Sequence, residues 1–302
     1  MAQLSNALRT LLAGIVDYAG LFPPARLDMR AAVEQYESHR RGPYHWMLGR
    51  FIVPVARLAE LEAAVQGLCA AGEQRPWRLS ALGGEDLGRD GELIEAFNRP
   101  HAEPTEGQAV IDTIEFRAGS VAEIESALRS VPETLVAYVE IPINQDPSAL
   151  VRALAARGGR AKVRTGGITG DAFPAADELA RFLGVCAAAR LPFKATAGLH
   201  HPLRTEAHLT YEPGSPSATM FGFLNLFLGA AFARSGLPAD QLIKLLEERS
   251  VEAIRFVDDG VSWNGHRLGT ADLAATRLSG ATAFGSCSFE EPVNDLRGLG
   301  LL

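Results

Sequence analysis

Two strand-like segments each carry one lysine and end in glycine: residues 161–167 and residues 192–198. A strand alternates its faces with a period of two residues, so Lys162 shares a face with Arg164. Lysine is rarely buried without a partner or a chemical role. Lys162 and Lys194 on neighbouring strands should lower each other's pKa, because like charges repel. A lysine with a lowered pKa attacks carbonyl carbon, so these segments predict a reactive amine.

Further polar residues stand at or just beyond the carboxyl ends of the predicted strands. In a barrel of parallel strands the active site lies at those ends, so these residues are the candidates for substrate contacts. They are Glu115, Arg117, Glu140, Arg164, Thr165, Gly166, Gly167, His200, His201, Asp258, Asp259 and Cys287. The alternative is that the charged members only neutralise one another in a structural ion network. Cys287 could be a nucleophile or, like most buried cysteines, a small apolar filler.

The elements that must position these residues alternate between short β-rich runs and longer helical patterns, which predicts a parallel sheet. Eight βα units indicate a (β/α)8 barrel of the TIM type, an α/β fold, and an open doubly wound sheet is the alternative. We expect residues 1–46 to form a helical N-terminal extension packed on a barrel of residues 47–302. The predicted strands are Met47–Pro54, Trp77–Leu82, Thr113–Arg117, Leu135–Ile141, Ala161–Thr165, Pro192–Ala197, Ala253–Val257 and Ala281–Ser288.

The two lysine motifs resemble those of class I aldolases of the deoxyribose-phosphate aldolase type. Residues 162–167 read Lys-Val-Arg-Thr-Gly-Gly, and residues 193–198 read Phe-Lys-Ala-Thr-Ala-Gly. In that family a Lys-x-Ser-Thr-Gly strand end supplies the Schiff-base lysine, and a later Lys-Ala-Ser-Gly-Gly strand end supplies a lysine that lowers its pKa. The two lysines are 32 residues apart, which is about one βα unit. The resemblance covers about forty residues and implies a lyase that needs no cofactor and no metal.

The chain departs from the family pattern in three respects. The family's motifs fall on strands six and seven, whereas these fall on the fifth and sixth predicted strands. Arg164 replaces a small residue of the motif. No glycine-rich turn after the last strands suggests a phosphate cradle, so we expect a substrate that is not held by a phosphate. Two other motifs, residues 198–202 and 285–292, resemble those of an uncharacterised group of bacterial proteins.

The resemblance and the residues together predict a mechanism. Class I aldolases more broadly carry their lysine on strand six, so the predicted strand count favours Lys194 as the nucleophile and Lys162 as the lysine that lowers its pKa. Glu140 or Glu115 would transfer protons. An arginine of the site would hold a substrate carboxylate. The expected substrate is a small polar carbonyl compound or keto acid.

Two other functions remain open at this point. Glu140, His200 and Asp258 could ligate a divalent ion in a metal-assisted lyase, isomerase or hydrolase. A barrel without catalytic activity could bind a ligand or a partner protein. Trapping of an imine with borohydride would separate the first hypothesis from both alternatives.

Composition narrows the class of protein. A net charge of −7 without a run of Lys and Arg argues against nucleic acid as a partner. The most apolar segment, Met220–Ala233, is too short to span a bilayer, so no membrane partner is expected. Cys69, Cys186 and Cys287 are odd in number and far apart, which predicts no disulfide and a reducing compartment. With no signal peptide apparent, we expect a cytoplasmic protein.

Three further segments could be interpreted in more than one way. Residues 17–24, with Phe22 followed by two prolines, could cover the site or plug the other end of the barrel. Residues 221–228 are consistent with a buried helix or with an interface of a homo-oligomer. Residues 212–216 predict a loop followed by two helices.

Overall fold

A closed barrel of eight parallel strands forms the centre of the computed structural model, which describes residues 4–65, 76–101 and 109–302. The barrel strands are β1 (Val16–Tyr18), β2 (Leu48–Pro54), β3 (Trp77–Leu82), β4 (Ala109–Arg117), β5 (Val136–Glu140), β6 (Arg160–Arg164), β7 (Phe193–Thr196) and β13 (Ala281–Ser286). They close in the order β1-β2-β3-β4-β5-β6-β7-β13, and β13 pairs with β1. The predicted (β/α)8 barrel is therefore confirmed.

Helices alternate with the barrel strands along the chain. They are α1 (Asn6–Leu12), α2 (Met29–Arg41), α3 (Leu58–Val65), α4 (Leu87–His101), α5 (Val121–Ser130), α6 (Ser148–Ala156), α7 (Ala176–Ala189), α8 (Phe223–Arg234), α9 (Ala239–Leu246), α10 (Thr270–Ser279) and α11 (Glu290–Gly298). Short polar residues set some of their starts: Asp28 accepts the N–H of Ala31 at 2.8 Å, and Ser120 accepts that of Glu123 at 3.2 Å. Such caps satisfy amides that the first turn leaves unpaired.

The first barrel strand lies inside the segment that we predicted to be a helical extension. β1 pairs with β13 through Val16 and Phe284 and with β2 through Val16 and Leu48. β1 has only three residues, all of them buried, so it is too short for periodicity to reveal. The barrel therefore begins near residue 16, and residues 1–46 do not form a purely helical extension.

The predicted strand Ala253–Val257 exists but lies outside the barrel. It is β10 (Ile254–Val257), and it pairs antiparallel with β11 (Gly260–Trp263), which pairs with β12 (His266–Gly269). Asp258 and Asp259 form the two-residue turn between β10 and β11, as residue types favoured in turns do. The position of Lys162 in the barrel is consequently strand six and that of Lys194 is strand seven, each one strand later than the sequence count.

A long insertion separates β7 from the last barrel strand. It begins with an antiparallel hairpin of β8 (Thr205–His208) and β9 (Ser217–Met220), whose tip contains the predicted loop at residues 212–216. The two predicted helices follow as α8 and α9. Ten residues of α8 are buried within the chain, so the apolar stretch at 221–228 is a core helix.

None of the helices among the described residues is long and apolar enough to cross a membrane. Cys186 and Cys287 are both free thiols and buried. Cys69 lies outside the described residues.

Candidate active site

A cavity of about 670 Å³ opens at the carboxyl ends of the barrel strands. Residues from the ends of β2 to β7 and of β13 line it, together with the segment after β1 and the β8–β9 hairpin. The lining includes nine of the residues selected from the sequence: Glu115, Arg117, Glu140, Lys162, Arg164, Gly167, His200, His201 and Cys287. Most of the residues predicted from the strand ends therefore lie around one cavity.

Lys194 lies beneath this cavity, with its ammonium group held between two carboxylates. Its Nζ atom is 2.5 Å from Asp17 Oδ2 and 2.6 Å from Glu115 Oε1. The lysine side chain is 1% exposed, and the two acids are equally buried. The ring of Tyr138 lies 5.6 Å from the ammonium. Lys194 does not line the cavity, so a substrate has no access to its amine.

Lys162 pairs with Lys194 in register on the neighbouring strand, and its side chain reaches the cavity floor. Its Nζ atom is 3.0 Å from Glu115 Oε2 and 3.2 Å from Glu140 Oε2. Each oxygen of the Glu115 carboxylate therefore serves a different lysine. The predicted juxtaposition of the two amines inside the barrel is confirmed, and Lys162 is the amine that faces the cavity.

The carboxylates reverse the pKa direction expected for Lys194. Burial alone would lower the pKa of this amine, but the charges of Asp17 and Glu115 and the hydrogen bonds to them outweigh burial and raise it above its usual value. Burial raises the pKa of Glu115, yet both lysines and the Ser80 hydroxyl bring it well below its usual range. The prediction of a Lys194 amine with a lowered pKa is therefore wrong, because the sequence argument counted the neighbouring cations and left out Asp17.

Glu140 connects Lys162 to the arginines of the cavity rim. Its Oε1 atom accepts the Nε–H of Arg164 at 2.9 Å and lies 3.2 Å from Nε of Arg117. Burial raises the pKa of Glu140, but Lys162, Arg164 and Arg117 together hold it below its usual value. The Arg117 side chain is 73% exposed and lines the cavity, so its guanidinium is open to a ligand.

Asp17 is the most important site residue that the sequence selection missed. Its Oδ1 atom accepts the backbone N–H of Arg50 at 2.7 Å, which orients Oδ2 towards Lys194. A Cβ atom at Gly49 would overlap Oδ1 and come within 3.1 Å of the Val16 carbonyl oxygen, so only glycine fits there. The one available signal was an acidic residue between apolar neighbours in a run too short to be identified as a strand.

The glycines and threonine after Lys162 have a structural role. The hydroxyl of Thr165 donates to the carbonyl of Ala197 at 2.6 Å, which joins the loops after β6 and β7. The two loops also touch at Gly166 and Gly198: a Cβ atom on Gly198, whose φ is +73°, would lie 2.9 Å from the Gly166 Cα atom. Thr165 and Gly166 therefore lie behind the cavity lining, and only Gly167 of this group contacts the cavity.

A second polar group occupies the rim beside β7 and β13. Nδ1 of His200 is 2.8 Å from Oε2 of Glu291, and the Tyr211 hydroxyl donates to the same oxygen at 3.2 Å. Burial raises the pKa of Glu291, but His200, His201 and Tyr211 lower it below its usual value. His201 bonds instead to Asp295, at 2.6 Å. These contacts give the rim an imidazole–carboxylate pair that faces the cavity.

Cys287 also lines the cavity, with its sulfur 3.6 Å from the Tyr211 hydroxyl. Burial raises the pKa of this thiol, although a hydrogen bond between it and Tyr211 and hydrogen bonds from backbone groups oppose the rise. A thiol with a raised pKa is a weak nucleophile at neutral pH. The environment thus favours the filler interpretation of Cys287.

Asp258 and Asp259 do not belong to the site, because their strand is not a barrel strand. Asp258 Oδ1 accepts the N–H of Asn6 at 3.1 Å, and Asp259 pairs with Arg267 at 2.5 Å. The proposed metal ligands Glu140, His200 and Asp258 are consequently not brought together. Across residues 4–65, 76–101 and 109–302, no group of three or more His, Cys, Asp and Glu side chains is arranged to hold a metal ion.

Two segments to which the sequence motifs assigned no firm role also line the cavity. Phe22, Pro23 and Pro24, in the segment after β1, cover one side of the mouth, so the covering role for residues 17–24 is the correct one of the two considered. Leu209 and Tyr211 reach the cavity from the β8–β9 hairpin. Loop residues carry no periodic pattern, so hydrophobic periodicity does not reveal that the hairpin residues reach the cavity.

Lysine usage is a second signal that would have identified the site. The chain has three lysines and 26 arginines. Two of those lysines lie in the barrel centre, and the third, Lys244, is exposed on α9. Surface cations are supplied almost wholly by arginine, so buried lysines stand out from the composition.

Comparison with family models, with curated proteins and with solved structures finds no match in any of the three. Function has therefore to be derived from the cavity and its residues.

Proposed function

We propose that this protein is a class I aldolase-like lyase in which Lys162 forms a Schiff base with a small polar carbonyl or keto-acid substrate. The observation that carries the proposal is the position of Lys162: strand six of the barrel, on the floor of the cavity, above a second buried lysine. The aldolase motifs that the chain resembles stand on strands six and seven, which is where the barrel order puts Lys162 and Lys194. The strand-count departure therefore disappears, and the preferred nucleophile changes from Lys194 to Lys162.

Imine formation needs an uncharged amine, and the neighbouring carboxylates supply a route for its proton. Glu140 takes a proton from the Lys162 ammonium across 3.2 Å. The amine then attacks the carbonyl carbon, the C=O electron pair moves to oxygen, and that oxygen takes up a proton from the newly bonded nitrogen, which gives a neutral carbinolamine. The proton held by Glu140 returns to the hydroxyl as it leaves as water, which yields the iminium ion.

The iminium ion then serves as an electron sink. The bond between the α and β carbons of the substrate breaks, its electron pair moves towards the iminium nitrogen, and the β-hydroxyl gives its proton to the Glu140 carboxylate as the carbonyl product forms. Protonation of the resulting enamine and addition of water release the second product and restore the lysine. No oxidant or external cofactor enters this balance.

Substrate binding would itself activate Glu140. At rest the two arginines keep the pKa of Glu140 low, so it is a poor proton acceptor. A substrate carboxylate that takes over the guanidinium groups of Arg164 and Arg117 leaves Glu140 less neutralised and better able to accept the Lys162 proton. Lys194, below the cavity floor, stays charged because Asp17 and Glu115 bind its ammonium. Since Glu115 is shared with Lys194, it neutralises the Lys162 ammonium only in part.

The direct test is trapping of the imine with borohydride. Wild-type protein is incubated with aldehydes and 2-keto acids of increasing size, reduced with borohydride, digested and mapped by mass spectrometry. We expect an adduct on the peptide that carries Lys162 and none on Lys194. Three lysines in the whole chain make the assignment unambiguous, and exposed Lys244 reports non-specific labelling.

Two variants complete the experiment. Lys162→Met should abolish the adduct, whereas Lys244→Met should leave it unchanged. Adduct on Lys194 would reverse the roles of the two amines. Absence of any adduct with every carbonyl compound, in protein shown to be folded by circular dichroism, would reject Schiff-base chemistry and leave a ligand-binding barrel as the better interpretation.

A further inference from the structure

The cavity is larger than is needed by the group of charged residues that we call the ionic cluster: Lys162, Lys194, Arg117, Arg164, Asp17, Glu115 and Glu140. Its volume of about 670 Å³ lies in the range that encloses ligands of the size of a drug molecule. Lys162, Glu140 and the arginines come only from β4, β5 and β6. The rest of the lining has to fit another part of the substrate.

The opposite side of the cavity is apolar. In the closed ring β2 is four strands away from β6, so Ile52 at the end of β2 lies across the barrel from Lys162. Residues from β2, from β3 and from the segment after β1 form this surface, which we call the apolar sector: Ala19, Phe22, Pro23, Pro24, Ile52 and Leu82. Such a surface has no hydrogen bonds to offer, and it favours a hydrocarbon body.

Apolar side chains also surround the entrance. Ile168, in the loop after β6, and Tyr211, at the hairpin tip, are among the exposed large hydrophobic residues of the described chain, and both line the cavity. Exposed apolar side chains at one mouth mark a surface that a ligand covers. Leu209 and Met220 extend it inwards, where both are buried.

The charge of the ionic cluster specifies the other end of the ligand. Among the described residues, four cations meet three carboxylates there: Lys162, Lys194, Arg117 and Arg164 against Asp17, Glu115 and Glu140. The ionic cluster therefore has a net charge of one positive unit, and its exposed edge is at Arg117. This net charge favours a ligand with a single negative charge. A phosphate is disfavoured at the usual barrel position, because Glu290 and Glu291 occupy the first turn of α11 and Glu291 lines the cavity.

We propose that the cavity takes a non-phosphorylated carbonyl compound with a single carboxylate and an apolar body of the size of a phenyl or branched alkyl group. The carboxylate binds Arg164 and Arg117, the carbonyl carbon stands at Lys162, and the body fills the apolar sector. The position of the carbonyl rests on the proposed Schiff-base function. The carboxylate and the apolar body rest on the cavity alone.

Binding of probes that lack a carbonyl tests this substrate class independently of imine chemistry. Titration calorimetry compares 4-phenylbutanoate with butanoate, 4-phenylbutan-1-ol and phenyl phosphate. We expect 4-phenylbutanoate to bind about 10- to 100-fold more tightly than butanoate, which is the effect of burying one aromatic ring. The alcohol and the phosphate should bind at least about tenfold more weakly than 4-phenylbutanoate.

Variants locate the two ends of the ligand. Ile168→Ser should weaken binding of 4-phenylbutanoate and leave butanoate unchanged, whereas Arg164→Gln should weaken both carboxylates. The matched controls are Leu278→Ser, a still more exposed apolar residue on α10, and Arg30→Gln, an exposed arginine on α2. Neither control should change the affinity. Equal affinity for 4-phenylbutanoate and butanoate, or tightest binding of phenyl phosphate, would overturn the proposed class.

The two proposals can fail separately. Tight binding of 4-phenylbutanoate together with no borohydride adduct from the matching 2-keto acid would retain the substrate class and reject the Schiff base. An adduct formed equally well with pyruvate and with a phenyl-substituted 2-keto acid, at equal concentration, would retain the Schiff base and reject the apolar body.

Discussion

Replacement of Lys194 by methionine removes the cation that holds two buried carboxylates together. In the native protein Nζ lies 2.5 Å from Asp17 and 2.6 Å from Glu115, and all three side chains are nearly inaccessible. Methionine has a similar volume and carries no charge. The variant therefore removes the ammonium that is bonded to Asp17 and leaves Lys162 as the lysine bonded to Glu115.

The expected loss of stability depends on pH. Removal of one partner of a buried ion pair typically costs about 3–5 kcal/mol, and we expect that loss in Lys194→Met at pH 8. One carboxylate can escape the penalty by binding a proton, at a cost of about 1.4 kcal/mol for each pH unit above its ordinary pKa near 4. At pH 5 that route is inexpensive, so the loss should fall to about 1–2 kcal/mol.

The direction of each pH effect follows from the difference between the pKa of a group in the folded protein and its pKa in the unfolded chain. A carboxyl group whose pKa is raised in the folded variant contributes stability below its unfolded pKa and loses that contribution as the pH rises through the folded value. In the wild type the pKa of Glu115 is lowered, so its contribution is present above about pH 4.3 and is lost in acid. The pKa of Lys194 is raised, so its contribution persists until the pH exceeds about 10.4. Between pH 5 and pH 8 the wild-type pair is intact, and the pH dependence of the difference belongs to the variant.

Urea unfolding followed by circular dichroism at pH 5 and pH 8 measures this difference. Lys244→Met is the matched control: its side chain is 61% exposed and 4.0 Å from Asp240, so its free energy of unfolding should change by less than about 0.5 kcal/mol at both pH values. A Lys194→Met penalty that is equal at pH 5 and pH 8 would refute the proton-uptake reasoning. A penalty below about 1 kcal/mol at pH 8 would refute the buried pair itself.

Two further predictions concern packing around the barrel. Gly49→Ala should lower the free energy of unfolding by about 1–3 kcal/mol, because the new methyl group displaces Asp17. Gly184→Ala is the control and should be neutral or stabilising, because a Cβ atom there meets no neighbour within 4 Å. Urea unfolding compares the two variants, and equal effects would contradict the steric argument. Asn225→Leu should lower the free energy of unfolding by about 2–4 kcal/mol, because the buried amide donates at 2.8 and 2.9 Å to two backbone carbonyls at the C-terminal end of α9. Thermal or urea unfolding measures this loss, and a value below about 1 kcal/mol would show that those carbonyls find other donors.

The sequence alone predicted the alternation of strands and helices, and it also predicted that Lys162 and Lys194 lie close to each other. Hydrophobic runs bounded by turn residues predicted seven of the eight barrel strands, because each was long enough to show its pattern. Since parallel strands end on one face, the residues at their ends could be assigned to one cavity without coordinates. Lys162, Glu140 and Arg164 were all identified in that way.

Only the tertiary structure decided which carboxylate pairs with which lysine in the ionic cluster. The pairing of Val16 with Phe284 brings together residues from the two ends of the chain, and no local pattern contains that information. This closure places Asp17 beside Lys194 and turns an amine expected to lose its proton into one that retains it. The same closure shifts the strand count by one and moves the candidate nucleophile to Lys162. The sequence determines which residue types are present, whereas the raised pKa of Lys194 depends on contacts between distant segments, because electrostatic energy depends on distance in space and on burial.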